Sequence, residues 1–150
     1  MSTLSVSLNT ARFVPGAASA PAGGAVDGAP GAILRLEAAV ALAAAMAAYA
    51  LVGSGWMVFA LLFLVPDLSM LGYLAGRGIG ALAYNLGHSY VLPMALGALG
   101  IVMSRHLPLS LALIWVAHIG FDRLLGYGLK YADAFGHTHL GMVGKPNTAA

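Results

Sequence analysis

The chain has 150 residues, of which 60% are hydrophobic and only 8% are charged, and its net charge is +2. A soluble domain carries roughly 25% charged residues, so this composition excludes a water-soluble globular domain and indicates a membrane protein. The small, scattered charge excludes a nucleic-acid partner. The absence of cysteine excludes disulfides, thiolate metal sites and lipidated cysteines.

The chain begins with a segment of small residues and continues with four apolar spans. Residues 1–31 are rich in Ala, Gly, Ser and Pro, a composition that predicts a disordered N-terminal tail. Each apolar span has roughly 20 residues, the length needed to cross about 30 Å of hydrocarbon. The spans cover residues 33–52, 56–75, 79–103 and 107–127.

The connections between the spans are only three residues long. Such short loops make sequential helices antiparallel neighbours. The sequence therefore predicts an all-α polytopic membrane protein. Residues 32–131 form one compact antiparallel bundle of four transmembrane helices in this interpretation, and residues 132–150 form a cytoplasmic C-terminal tail.

The basic residues predict the orientation of the bundle. Membrane proteins carry an excess of Lys and Arg in their cytoplasmic loops. With the N-terminus inside, only Arg105 falls on the outer side, and Arg123 lies near the inner end of the fourth span. We therefore expect both termini in the cytoplasm. The basic residues on the inner side are Arg12, Arg35, Arg77, Lys130 and Lys145.

Four ionisable side chains lie inside the apolar spans: Asp67, His88, His118 and Asp122. Each costs on the order of 2.5–3.5 kcal/mol on insertion scales, so such residues are functional candidates by default. A helix rises about 1.5 Å per residue, which brings all four to a similar depth in the inner half of the bilayer. His118 and Asp122 are four residues apart and share one helix face. We therefore predict that three neighbouring helices converge on one site.

Further polar residues and prolines fall in the same zone. Asn85 and Tyr84 precede His88 by three and four residues, so they share its helix face, and we expect Asn85 to support the site. Arg123 is expected to neutralise Asp122 or Asp67, or else to reach toward phosphate. Pro66 and Pro93 are expected to loosen their helices and free carbonyl groups, which are tolerated only within protein or water.

Three other features have both a functional and a structural interpretation. Gly72, Gly76 and Gly80 recur at a spacing of four, which permits close helix packing but also follows from a composition rich in small residues. His137 and His139 form a His-x-His pair that either binds a metal or is solvated in the tail. Within the spans, an Asp–His pair also serves as a structural hydrogen bond of around 0.6 kcal/mol.

Several runs resemble a known family. They are PDLSM (66–70), YNLGHSYVLP (84–93), HIGFDRLLGYGLKY (118–131) and THLG (138–141). The chain resembles, over residues 32–141, the small bacterial four-helix membrane proteins catalogued as domain of unknown function 4260. The resemblance implies an integral protein of the bacterial inner membrane with no assigned activity.

A second resemblance bears on the chemistry. A Pro-Asp pair, a His-Ser segment and a late His-x-x-x-Asp are similar in layout to the membrane-bound metal-dependent hydrolases. This resemblance implies that Asp67, His88, His118 and Asp122 are metal ligands. His and carboxylate ligands without sulfur suit a divalent Zn, Mn or Fe ion, whose bound water would act as a nucleophile. Asp67 or Asp122 would then act as general base, with a lipid as the substrate.

Three alternatives remain open on the sequence alone. The first is haem between His88 and His118, which the two nearby carboxylates disfavour. The second is a proton or cation relay through Asp67, His88 and Asp122, which would require a homo-oligomer to form a pore. The third is a structural or partner-binding subunit in the bilayer, whose polar residues set the helix register.

Overall fold

The computed structural model describes residues 25–26, 28–52 and 55–144. Most of the predicted tail, residues 1–31, lies outside the described residues, as do Arg12 and Lys145. The helical elements are α1 (Gly28–Val52), α2 (Trp56–Phe63), a 3₁₀ segment (Val65–Ala75), α3 (Arg77–Gly87), α4 (Val91–Val102) and α5 (His106–Leu125). Two short strands follow, β1 (His137–Thr138) and β2 (Gly141–Met142).

Four helical spans are long and apolar enough to cross a membrane. They cover Gly28–Val52, Trp56–Ala75, Arg77–Val102 and His106–Leu125. The predicted spans match these closely, although α1 begins at Gly28 rather than at residue 33. The prediction of an all-α membrane protein built as a four-helix bundle is confirmed.

Helix α5 is the central element of the bundle. It packs against α1, α4 and α2, whereas α3 packs against the 3₁₀ segment. Small residues allow α1 and α5 to approach closely: a Cβ at Gly120 would lie 2.9 Å from the carbonyl oxygen of Ala38 and 2.9 Å from the nitrogen of Leu42. Large apolar side chains such as Leu51 and Leu74 are instead exposed on the outside, where a bilayer would cover them.

Two of the four spans are interrupted near the ionisable residues. The second span changes at Leu64 from α-helix to a 3₁₀ segment of 11 residues that carries Pro66 in its first turn. Runs of 3₁₀ helix longer than about four residues are uncommon. The third span is interrupted at residues 88–90, and Pro93 lies in the first turn of α4, where its missing N–H breaks no helical hydrogen bond.

Side chains from α5 satisfy the carbonyl groups that the second interruption frees. Trp115 Nε1 donates to the carbonyl oxygen of Gly87 at 2.6 Å. Arg123 Nη2 donates to the carbonyl oxygen of His88 at 3.5 Å. Because non-helical backbone at membrane depth must be paired within the protein, these two contacts explain how the chain accommodates a break at this point.

The chain after α5 folds back onto the bundle. Strands β1 and β2 form an antiparallel hairpin that pairs His137 with Met142 and Thr138 with Gly141, and Lys130 forms an isolated bridge with Thr138. The nitrogen of Val26, just before α1, donates to the carbonyl oxygen of His139 at 2.9 Å. The hairpin is therefore part of the packed structure.

The crossing of α1 and α5 gives a stability prediction. Gly120→Ala places a methyl group against the α1 backbone, so we expect a loss of about 1–3 kcal/mol, the usual cost of overpacking. The unfolding of purified protein in detergent would measure this loss. Gly78→Ala is the matched control, because a Cβ there has no neighbour within 4 Å. Equal stability of the two variants would contradict the close packing.

Candidate metal centre

The structure brings the four ionisable residues together. Asp67 lies in the first turn of the 3₁₀ segment, His88 caps the end of α3, and His118 and Asp122 lie one turn apart on α5. Each offers one ligand atom, and all four atoms lie within 4.8 Å of one another. The predicted convergence of three helical spans on one site is therefore present.

The His–His distance and the four His–Asp distances between the ligand atoms suit a single small cation. His88 Nε2 and His118 Nε2 are 3.1 Å apart. Asp67 Oδ1 lies 3.5 Å from His88 Nε2 and 3.6 Å from His118 Nε2, and Asp122 Oδ2 lies 3.4 and 3.8 Å from the same two atoms. Four ligands placed tetrahedrally about 2.0–2.1 Å from a zinc ion would be about 3.3–3.4 Å apart.

The hydrogen bond of His88 fixes which ring nitrogen faces the cluster. Nδ1 lies 3.0 Å from the carbonyl oxygen of Tyr84, which can only accept, so Nδ1 carries a proton, and in the neutral ring Nε2 then presents a lone pair to the cluster. Metal-binding histidines almost always donate their second nitrogen in this way. The ring of His118 packs against Phe63, and its Nδ1 is buried with no hydrogen-bond partner among the described residues.

Burial differs among the four side chains. His88 and His118 are 3% and 1% exposed, whereas Asp122 is 16% and Asp67 is 33% exposed. Tyr84 Oη donates to Asp122 Oδ2 at 3.2 Å, which restrains that carboxylate. Asp67 is therefore the most accessible of the four groups, and Asp122 is held in place by a neighbour.

Tyr84 connects the cluster to the C-terminal segment. Its ring stacks on the His88 imidazole, with centroids 3.8 Å apart and planes 10° apart. The Lys130 ammonium lies 4.5 Å from the Tyr84 centroid and 3.3 Å from the Phe135 centroid. Burial lowers the pKa of Lys130, and the charges of Asp122 and Asp67 oppose that change. Lys130 thus adds a positive charge near two carboxylates.

The comparison with protein families decides the identity of the chain. A family model described as Domain of unknown function (DUF4260) matches residues 31–143. The chain belongs to this family. The match confirms the first resemblance, includes all four cluster residues, and extends over the C-terminal hairpin. No curated protein and no solved structure matches the chain.

In this DUF4260 protein, the two residues expected to support the site make other contacts. Asn85 Nδ2 donates to the carbonyl oxygen of Lys130 at 2.9 Å, and Asn85 Oδ1 accepts from the nitrogen of Lys130 at 2.7 Å. Arg123 contacts the His88 carbonyl and lies 4.5 Å from the Tyr90 ring centroid. Both residues therefore touch groups next to the cluster, and their expected role in supporting it remains a prediction.

The two histidines of the C-terminal segment make different contacts through their Nδ1 atoms. His137 Nδ1 pairs with Asp133 Oδ2 at 2.7 Å, and this hydrogen bond lowers the pKa of Asp133. His139 Nδ1 accepts instead from the nitrogen of Leu129 at 2.8 Å. Within the described residues, the four-residue cluster is the only group of three or more His, Cys, Asp or Glu side chains that could hold a metal ion.

The Asn85 contact gives a prediction for the C-terminal segment. Asn85→Ala leaves the buried backbone groups of Lys130 unpaired, at a cost of about 1–3 kcal/mol for each group. We expect trypsin to cleave after Lys130 many times faster in this variant, as measured by mass spectrometry of a timed digest. Cleavage after the exposed Arg105 is the internal reference. Asn85→Asp, which keeps one of the two hydrogen bonds to Lys130, should give an intermediate rate. An unchanged rate of cleavage in Asn85→Ala would contradict the proposal that Asn85 holds the backbone of Lys130 in place.

Proposed function

We propose that this DUF4260 protein is a metal-dependent hydrolase of a membrane lipid that binds one divalent ion through Asp67, His88, His118 and Asp122. The observation that carries the proposal is the convergence of four potential ligand atoms within 4.8 Å of one another, with each His–His and His–Asp separation at 3.1–3.8 Å. Acceptors crowded together in a low-dielectric interior repel one another unless a cation or a shared proton lies between them.

The ligand set favours particular metals. Two imidazole nitrogens and two carboxylates, with no sulfur, suit Zn, Mn or Fe. Haem between the two histidines is disfavoured, because a porphyrin would have to lie between the two ring nitrogens that ligate it. The observed 3.1 Å separation, with carboxylates alongside, leaves no space for a porphyrin.

The two carboxylates have different roles in the proposed reaction. A divalent ion held by these four residues would supply a water of lowered pKa as the nucleophile. Asp67, as the most exposed group, would hold the ion through one carboxylate oxygen and accept the proton of the water through the other, as general base. The water oxygen would bond to the acyl carbon or phosphorus as the ester bond to the alcohol breaks, and the alcohol would leave with the proton. Asp122, held by Tyr84, would remain a fixed ligand.

The proposed location is the bacterial inner membrane with both termini in the cytoplasm. The basic residues at one end of the bundle support this orientation. Arg77 Nη1 donates to the carbonyl oxygen of Asp133 at 3.3 Å. Arg35 lies against Gly126 just after α5, where a built Cβ would be 3.0 Å from Nη2. Arg77 and Arg35 are thus brought together with the C-terminal segment.

Metal content is the first test of this proposal. We expect elemental mass spectrometry to find about one divalent ion per chain in the detergent-purified protein, and a near-complete loss of it in the His88→Ala/His118→Ala variant. His106→Ala is the control, since His106 is exposed at the start of α5. Absence of metal from the parent protein, including after incubation with Zn²⁺ or Mn²⁺, would overturn the proposal and favour a proton shared between the two Nε2 atoms.

The Tyr84 hydroxyl gives a second test. Tyr84→Phe keeps the ring that stacks on His88 but removes the donor to Asp122, and loss of such a supporting contact typically lowers metal affinity about 10–100-fold. Competition with a chelator would measure the affinity of the parent and variant proteins for the metal.

The hydrolysis of membrane lipids gives a separate test, with activity measured as the release of free fatty acid or phosphate. We expect activity to vanish on chelation and to return with added metal. Hydrolysis that responds neither to chelation nor to added metal would argue against a metal-dependent reaction.

A further inference from the structure

An apolar cavity of about 370 Å³ lies among α2, the 3₁₀ segment, α3, α4 and α5. This volume is in the range of about 300–1,000 Å³ that is typical of small-molecule sites. The wall offers little hydrogen bonding, because the indole N–H of Trp115 is already bound to the Gly87 carbonyl. Its large apolar side chains are Leu62, Val65, Leu96, Leu111, Ile114 and Trp115.

The cavity adjoins the metal cluster through one side chain, although no cluster residue lines its wall. Pro66 and Ser69, which complete the wall on the 3₁₀ segment, lie on either side of Asp67 in the chain. Ser69 Oγ also lies 3.5 Å from His88 Nδ1, so one side chain touches both the cavity and the cluster. Ile114 precedes His118 by four residues on α5, which places the two on the same face.

The order of these residues along α5 gives the cavity a direction. Leu111, Ile114 and Trp115 lie near the middle of α5, at the centre of a span, whereas His118 and Asp122 lie closer to its C-terminal end. A membrane lipid has the same polarity, with hydrocarbon toward the bilayer centre and ester or phosphate groups toward the surface. The cavity and the cluster thus match the two parts of a lipid in one leaflet.

We infer that this cavity binds a hydrocarbon chain of the lipid substrate and thereby places its ester or phosphate group at the cluster. The inference rests on the proposed function for the identity of the reacting group. Water is a poor occupant, since a buried water needs two to four polar partners, and the only polar side-chain groups of the wall are the Ser69 hydroxyl and the Trp115 N–H, each of which already has a partner. The cavity lies at a depth where lipid chains are the surrounding medium.

The two tryptophans of the chain allow a direct test. Trp56→Phe leaves Trp115 in the cavity wall as the only tryptophan, and Trp115→Phe leaves Trp56, which is 53% exposed on the outer surface. Each protein is placed in phosphatidylglycerol nanodiscs with increasing fractions of phosphatidylglycerol brominated on its acyl chains. Bromine quenches tryptophan fluorescence on contact. We therefore expect the quenching of Trp115 to reach its maximum at a low fraction of brominated lipid, whereas the quenching of Trp56 should rise in proportion to that fraction.

Variants of the wall supply the controls. Leu111→Phe, or Leu96→Phe if the first variant does not fold, fills the cavity. The quenching of Trp115 should then rise in proportion to the fraction of brominated lipid, without saturating early. Leu99→Phe changes a residue that is 50% exposed and does not line the cavity, so it should leave the saturating curve unchanged. Proportional quenching of Trp115 in the parent protein, or saturation that survives both wall variants, would overturn the inference.

The outcome is separable from that of the proposed function. Quenching requires no metal, so it is also measured in the His88→Ala/His118→Ala protein. Saturating quenching that persists there, beside a parent protein without metal, would retain the lipid site and reject the hydrolase. Stoichiometric metal together with proportional quenching would retain the metal centre and reject the cavity as the lipid site.

Discussion

The crowding of two carboxylates and two imidazole nitrogens, which repel one another unless a cation or a proton lies between them, is the constraint on which the rest of this structure depends. The four atoms lie within 4.8 Å of one another, in a bundle whose helices suit a lipid environment. Removing a charge from water costs several kcal/mol even after relaxation, and that cost is offset only by an opposite charge. The Lys130 ammonium near Tyr84 is one such charge, and a divalent ion between the four atoms would be another.

The interruptions of the helices are the geometric consequence of this convergence. His88 lies at the end of α3 with φ −113° and ψ 15°, outside the helical register, so its ring stacks on Tyr84 while Nδ1 bonds the Tyr84 carbonyl. The freed carbonyls would be costly in hydrocarbon, but Trp115 and Arg123 satisfy them from α5. Helix α5 therefore supplies two of the cluster residues and also the two side chains that permit the break after α3.

The sequence predicted the spans and the convergence of the cluster because both follow from local rules, namely the run of apolar residues and the rise per residue of a helix. Other features depend on contacts distant in sequence. The spacing of Asn85 from His88 predicts a shared helix face, but it does not reveal what Asn85 binds. Asn85 pairs with Lys130, and no local pattern marks that pairing or the hairpin after it.

The position of the cluster along the bundle suits chemistry at the boundary between lipid and water. At the bilayer centre the site would meet only hydrocarbon, and at the surface water would compete with substrate for every polar contact. His118 and Asp122 lie in the C-terminal half of α5, between these limits. Asp67 is 33% exposed while His118 is 1% exposed, so the cluster is accessible at Asp67 and closed at His118. The water of the proposed reaction would therefore enter beside Asp67, while the apolar cavity adjoins the cluster through Ser69.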